Sequence, residues 1–126
     1  VSAVLNFYEL KLNSSDPVYE QVAMHVKRQI LLGFAAAGDP LPSRREIAAQ
    51  LNVNPNTVQK AFRLMEEEGY VRTSGNQGSF ITLDVALLAR IEAELTHDMV
   101  AKFITQAKEV NLSFKKVIEL ISEQWD

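Results

Sequence analysis

Asn56, Thr57, Gln59, Lys60 and Arg63 are polar positions in a stretch whose other members, Val58, Ala61, Phe62 and Met65, are apolar. At 3.6 residues per turn the apolar set shares one face of a helix and the polar set is left on the other. The carboxamides of Asn56 and Gln59 each hold a donor beside an acceptor, the pair that matches the major-groove edge of adenine, and Lys60 has the reach and charge for guanine or a phosphate. Thr57 suits a phosphate or a thymine methyl, and Arg63 adds a cation on the same side. The competing account for each is a solvated residue, because outward helix positions are polar in most proteins. Asn54 stands just ahead of Pro55, where capping is the stronger use of its side chain.

Two further groups belong beside this face. Ser43 followed by Glu46 makes a capping box, and Arg44 and Arg45 then fall in the first turn of the helix so capped. Cations are disfavoured there, where the macrodipole is positive, so an anion from outside such as a phosphate would resolve the conflict; pairing with Glu46 or another acid is the alternative. Glu66, Glu67 and Glu68 show the opposite conflict, with acids at the negative end of the next helix, and a solvated face is expected for them. Ser74-Gly75-Asn76-Gln77-Gly78 reads as the tip of a hairpin in which Asn76, Gln77 and Gly78 can approach a phosphate or the minor groove, or form an ordinary loop.

The elements that must position these groups are legible around them. Tyr8, Leu10 and Leu12 alternate with charged residues and predict a short edge strand. Asp16-Pro17 predicts a cap and a first helical residue, with Val18, Val22, Val26 and Ile30 as the buried stripe and an end near Gly33. Residues 35–40 read as a connection. Ile47, Ala48 and Leu51 line the next helix, Asn52-Val53-Asn54 makes the turn with Val53 as an apolar plug, and Val58, Ala61, Phe62 and Met65 point inward from the helix opened by Pro55. Gly69 ends that helix, and residues 70–73 and 79–82 pair around the loop as a wing. Helix returns from residue 83 with Leu88, Ile91, Leu95, Met99, Phe103 and Val110 on one stripe. Asn111-Leu112 ends it, and Ser113 caps a last helix bearing Phe114, Val117, Ile118 and Ile121. The expected fold is mainly α with a small β wing: a winged helix-turn-helix over residues 1–82, including a strand-like extension at 1–16, followed by a two-helix hairpin at 83–126.

The chain has 126 residues, enough for one small core and an appendage and too few for a reader joined to a large ligand-binding domain. With no cysteine there is no disulfide or thiolate site, and His25 and His97, even with Asp98 beside the latter, make no credible metal site. No catalytic triad, phosphate-cradling loop or close carboxylate pair is present, so neither enzyme activity nor a cofactor is expected. No apolar run approaches the roughly 18 residues of a membrane span, and a cytoplasmic protein is expected. The net charge of −3 looks wrong for nucleic acid until it is divided: residues 17–82 carry seven basic and six acidic residues, whereas 83–126 carry five and eight. The apolar stripe of the tail would be exposed unless its helices fold back or pack on a partner, which favours a symmetric dimer through Leu88, Ile91, Leu95, Met99, Phe103, Val110, Val117 and Ile121.

Pro17-Val18-Tyr19-Glu20-Gln21-Val22, Leu41-Pro42-Ser43 with Arg45 and Ala48, Val53-Asn54-Pro55-Asn56-Thr57-Val58 with Ala61, and Gly69 with Gly78-Ser79-Phe80-Ile81 together resemble the GntR family of bacterial transcription regulators, in its short-tailed YtrA-like branch. The resemblance implies a DNA-binding dimer, usually a repressor and often of a transporter operon, that dimerises through two C-terminal helices. It places DNA contacts at Arg45, Asn54 to Thr57, Gln59 and the wing near Asn76 to Gly78. Many relatives have arginine where this chain has Pro55, so no arginine contact carries over there. The expected partners are double-stranded DNA and a second copy of the chain, and a small-molecule effector of unknown identity is a third option compatible with them. A winged-helix module that binds another protein is the alternative.

Overall fold

The computed structural model of the chain describes residues 5–126. Among them lie α1 (Val18–Leu31), α2 (Arg44–Leu51), α3 (Pro55–Glu68), β1 (Val71–Ser74), β2 (Gly78–Ile81), α4 (Val85–Glu109) and α5 (Phe114–Gln124). The architecture is mainly helical with a two-stranded antiparallel wing, as expected. Two compact units divide the chain, the first ending at Ile91 and the second running Glu92–Asp126.

The core of the first unit is assembled from the stripes that the spacing predicts. Val22, Val26 and Ile30 are buried from α1 with Val18 only half-buried at its start, Ile47 and Ala48 are buried from α2, and Val58, Ala61, Phe62 and Met65 from α3. Burying side chains the size of Phe62 and Met65 stabilises the fold by roughly 1.5–3 kcal/mol each. Val53 and Leu51 pack against this core from its edge. Ser43 and Glu46 form the full capping box, and Asn54 caps α3 through Asn56 N–H ahead of Pro55. Gly69 takes φ +91° after α3, a left-handed conformation that lets Tyr70 and Val71 turn back into the core.

β1 and β2 pair from Val71↔Ile81 to Ser74↔Gly78, so the strands run one residue away from the expected 70–73 and 79–82 on the first and by the same amount on the second. A third segment joins them. Leu41 N–H donates to Ser79 O at 2.9 Å, Ile81 N–H to Asp39 O at 2.8 Å and Gly38 N–H to Ile81 O at 2.8 Å, with a bridge at Pro40↔Phe80. The connection over residues 35–40 is therefore in part a sheet edge, and Gly38 and Pro40, which read as loop punctuation, sit at its irregular points.

Two expectations near the N-terminus are corrected. The segment around Tyr8, Leu10 and Leu12 forms no strand: Leu5 and Phe7 are the buried residues, while Tyr8 is 74% exposed. The reason lies in its bonding, which goes to side chains rather than to a ladder. Phe7 N–H donates to Gln50 Oε1 at 2.8 Å, His25 Nε2 lies 2.8 Å from Asn6 O, and Asn13 N–H donates to Gln21 Oε1 at 2.9 Å. Asp16 does not cap α1. Pro17 occupies the cap position, and Gln21 Nε2 donates back to Asp16 O at 2.8 Å. Whatever part of the 1–16 extension falls on residues 1–4 lies outside the described residues.

The division at Ile91 falls later than the expected boundary after residue 82, because Leu83 and Leu87 pack on the core of the first unit and Ile91 is buried within it at 1% exposure. In the second unit α4 ends in a turn at Asn111, φ +58°, where Leu112 N–H donates to Ala107 O at 2.9 Å, and Ser113 caps α5 through Lys116 N–H at 3.1 Å. Phe103 of α4 lines a pocket of about 300 Å³ with Val117, Leu120 and Ile121 of α5, so the last helix is returned toward α4 as a hairpin. No residue of α5 is buried.

Candidate nucleic-acid interface

The inner face of α3 is filled by Val58, Ala61, Phe62 and Met65, which fixes what the outer face must be. Asn56, Lys60 and Arg63 are exposed there, and Thr57 and Gln59 are half-buried at its margin. Asn54 spends its Oδ1 on Asn56 N–H at 2.8 Å and keeps its amide donors, and Ser43 accepts from Glu46 N–H at 3.1 Å with its hydroxyl proton left to donate. Hydrogen bonding from Ser43, its backbone N–H first and its side chain second, holds the Glu46 carboxyl below its ordinary pKa.

The cations of the unit separate into engaged and free. Arg44 lies 4.3 Å from the Phe62 ring centroid and 3.5 Å from Glu66 Oε1. Its neighbour Arg45 is exposed, and among the described residues no hydrogen bond or ion pair holds it; the same is true of Arg63 and Arg72. Lys60 departs from its expected freedom: its ammonium sits 4.2 Å from the Tyr19 ring centroid of α1, a cation–π contact. The wing tip presents Asn76 and Gln77 as exposed side chains, with Gly78 at φ +77° making the return.

The acidic run is corrected in two of three places. Glu68 pairs with Lys27 at 2.8 Å, and Glu66 accepts from Thr73 Oγ1 at 2.6 Å as well as facing Arg44, so only Glu67 is left as the solvated acid. The sequence holds the signal for this pairing: a cation at the positive end of α2 and an anion at the negative end of α3 are separate conflicts with the helix dipoles, and the fold cancels one with the other.

Of the residues expected on a partner-facing stripe, Met99 is 64% and Phe103 41% exposed, Leu88, Val110 and Ile121 are exposed, and Leu95 and Val117 are half-buried. Ile91 is the departure, being committed to the core of its own chain and closed to any other. Val110 lies beyond the end of α4, off the helical stripe. Among the described residues no cluster of His, Asp or Glu has the arrangement of a metal site, and no helix is long and apolar enough to cross a membrane.

Comparison with known proteins agrees with this geometry. Residues 18–81 match the family of bacterial regulatory proteins named gntR. The chain is 35% identical over 109 residues to the HTH-type transcriptional regulator YhcF of Bacillus subtilis, covering 86% of this chain and 90% of that protein. It is also 35% identical over 112 residues to the HTH-type transcriptional repressor YtrA of the same organism, covering 87% and 85%. Among solved structures, a GntR family regulator from Listeria monocytogenes superposes with a TM-score of 0.79 at 28% identity, over 89% of this chain and 98% of that one. YtrA from Sulfolobus acidocaldarius gives 0.56 at 27% identity, over 91% and 93%. With its capped α2, Asn-Pro-Asn α3 and glycine-closed wing, the chain belongs to the GntR family, in its YtrA-like branch, and is a DNA-binding transcriptional regulator.

Proposed function

We propose that the chain is a homodimeric repressor that binds an inverted-repeat operator, one α3 to each half-site. The observation that carries this is the outer face of α3, which presents Asn56, Thr57, Gln59 and Arg63, together with Arg45 exposed in the first turn of α2. Asn56 and Gln59 read base edges in the major groove, Thr57 bonds a phosphate or meets a thymine methyl, and Arg45 and Arg63 hold phosphates on either side, with Ser43 and the Asn54 amide donating beside them. Asn76, Gln77 and the Gly78 backbone of the wing meet the flanking backbone. Lys60 reaches DNA by leaving Tyr19, and its contribution is correspondingly smaller. Repression is supported by the likeness to a protein named as a repressor, and control of a transporter operon rests on the resemblance to the short-tailed branch.

The dimer is formed through the exposed apolar residues of α4 and α5, Met99, Phe103 and Ile121 among them, because a single chain leaves them in water. Two-fold symmetry of the protein then matches that of the operator.

Two substitutions separate the roles. Arg45→Ala weakens binding to operator and random duplex alike and lowers the log–log salt slope by about 0.9. Gln59→Ala changes preference at one base position by roughly 1–3 kcal/mol, with the salt slope kept. Equal effects of both on operator and random DNA would remove these roles, and failure to bind any duplex from a random pool at low salt would favour a protein-binding module.

A further inference from the structure

The helix ends with charges of the unfavourable sign are joined to each other and to the wing. Glu66 Oε1 in the last turn of α3 lies 3.5 Å from Arg44 Nη2 in the first turn of α2, and it accepts the Thr73 hydroxyl of β1 at 2.6 Å. Thr73 Oγ1 is in turn 2.7 Å from Ser79 Oγ of β2. Thr73 has one hydroxyl proton, and a carboxylate can only accept, so that proton goes to Glu66 and Ser79 must donate to Thr73. The order is therefore Ser79 to Thr73 to Glu66, with Arg44 closing the far side over the Phe62 ring. Ser79 is buried, which fixes one end of the chain, while Thr73 and Glu66 are exposed and not needed to fill the core.

Residues 38–41 pair with β2, while Thr73 ties β1 to α3, and a sheet this short has little stability without such ties. We propose that Glu66 and Thr73 are positioning residues for DNA reading: one carboxylate oxygen fixes the wing on one side of α3 and the start of α2 on the other. Arg44 is spent on this clamp, which leaves Arg45 as the cation of that turn for phosphate. The inference rests on the interface proposed above.

The test uses the full chain and the duplex that the wild-type chain selects from a random pool. Thr73→Val removes the hydroxyl, Thr73→Ser keeps it, and Glu66→Ala removes the acceptor at an exposed helix position that tolerates alanine. In hydroxyl-radical footprints Thr73→Val and Glu66→Ala each lose protection of the backbone flanking the major-groove core by about fivefold, the equivalent of one hydrogen bond. Base preference within the core is kept, and Thr73→Ser behaves as wild type. The double variant Glu66→Ala with Thr73→Val loses no more than the worse single one, as groups acting through one bond must. In the free chain, the amides of β1 and β2 exchange about fivefold faster in Thr73→Val than in wild type, with α3 unchanged. Flanking protection and hairpin exchange both at wild-type values in Thr73→Val would overturn the proposal while leaving the interface standing. A wild-type chain that selects no duplex would overturn the interface itself.

Discussion

The unit that ends at Ile91 and the one from Glu92 to Asp126 draw on the same apolar residue types and finish with opposite surfaces. In the first, Phe7, Phe62, Met65, Tyr70 and Ile81 are within 2% of complete burial, and Lys27 is paired with Glu68 beneath the end of α3. In the second, Met99, Val100, Phe103, Ile104, Ile118 and Ile121 are all exposed, and Ala107 is its buried apolar residue among those described. The difference teaches that the reader is complete within one chain, whereas a 35-residue hairpin has too little interior to hide its own stripe. On the proposed function, the missing cover is the same hairpin of a second copy.

The largest effect expected is in the first unit. Phe62→Ala opens a cavity beneath Arg44 and costs about 3–5 kcal/mol, measured by denaturant unfolding; a loss under about 1 kcal/mol would mean that this core is not packed as described. Next is Phe103→Asp, which places a charge in the proposed interface. It shifts the dimer–monomer equilibrium by about 2 kcal/mol or more in sedimentation while leaving unfolding of the first unit unchanged. An unaltered sedimentation profile would put the interface elsewhere.

The smallest effect concerns acid. Burial holds the His25 ring below its ordinary pKa of 6.5, outweighing the opposite pull of the hydrogen bond to Asn6 O, with Arg28 adding to the lowering and Glu9 opposing it. Because the folded pKa lies under the unfolded one, the unfolded chain takes up the proton first as pH falls. The contribution of the neutral ring is complete above pH 6.5 and is lost on acidification from there toward the lower folded pKa. The melting temperature of wild type therefore falls more steeply than that of His25→Gln between about pH 6.5 and pH 5. Parallel profiles would contradict the assignment.

What was legible in advance was local. The Ser43–Glu46 box, the Asn54-Pro55 start, the Val22–Val26–Ile30 stripe and the glycine after α3 each depend on residues a few positions apart, and each has the predicted geometry. The failures are tertiary. Docking of Phe7 depends on Gln50 and His25, pairing of residues 38–41 depends on β2, and Lys60 meets a tyrosine of α1, none of which a window along the chain can see. In the tail, periodicity put Ile91 on the same stripe as Phe103, but the fold closes Ile91 into the core of the first unit. Period alone does not say which of two neighbours a helix face meets.

The most direct test of the central claim is to select bound duplexes from a random pool with the full chain and to weigh the complex by sedimentation. Two chains on one duplex are predicted, on two half-sites in inverted orientation with centres about one helical turn, 10–10.5 base pairs, or a multiple of it apart. One chain on a single asymmetric half-site, or no enriched sequence at low salt, would contradict it.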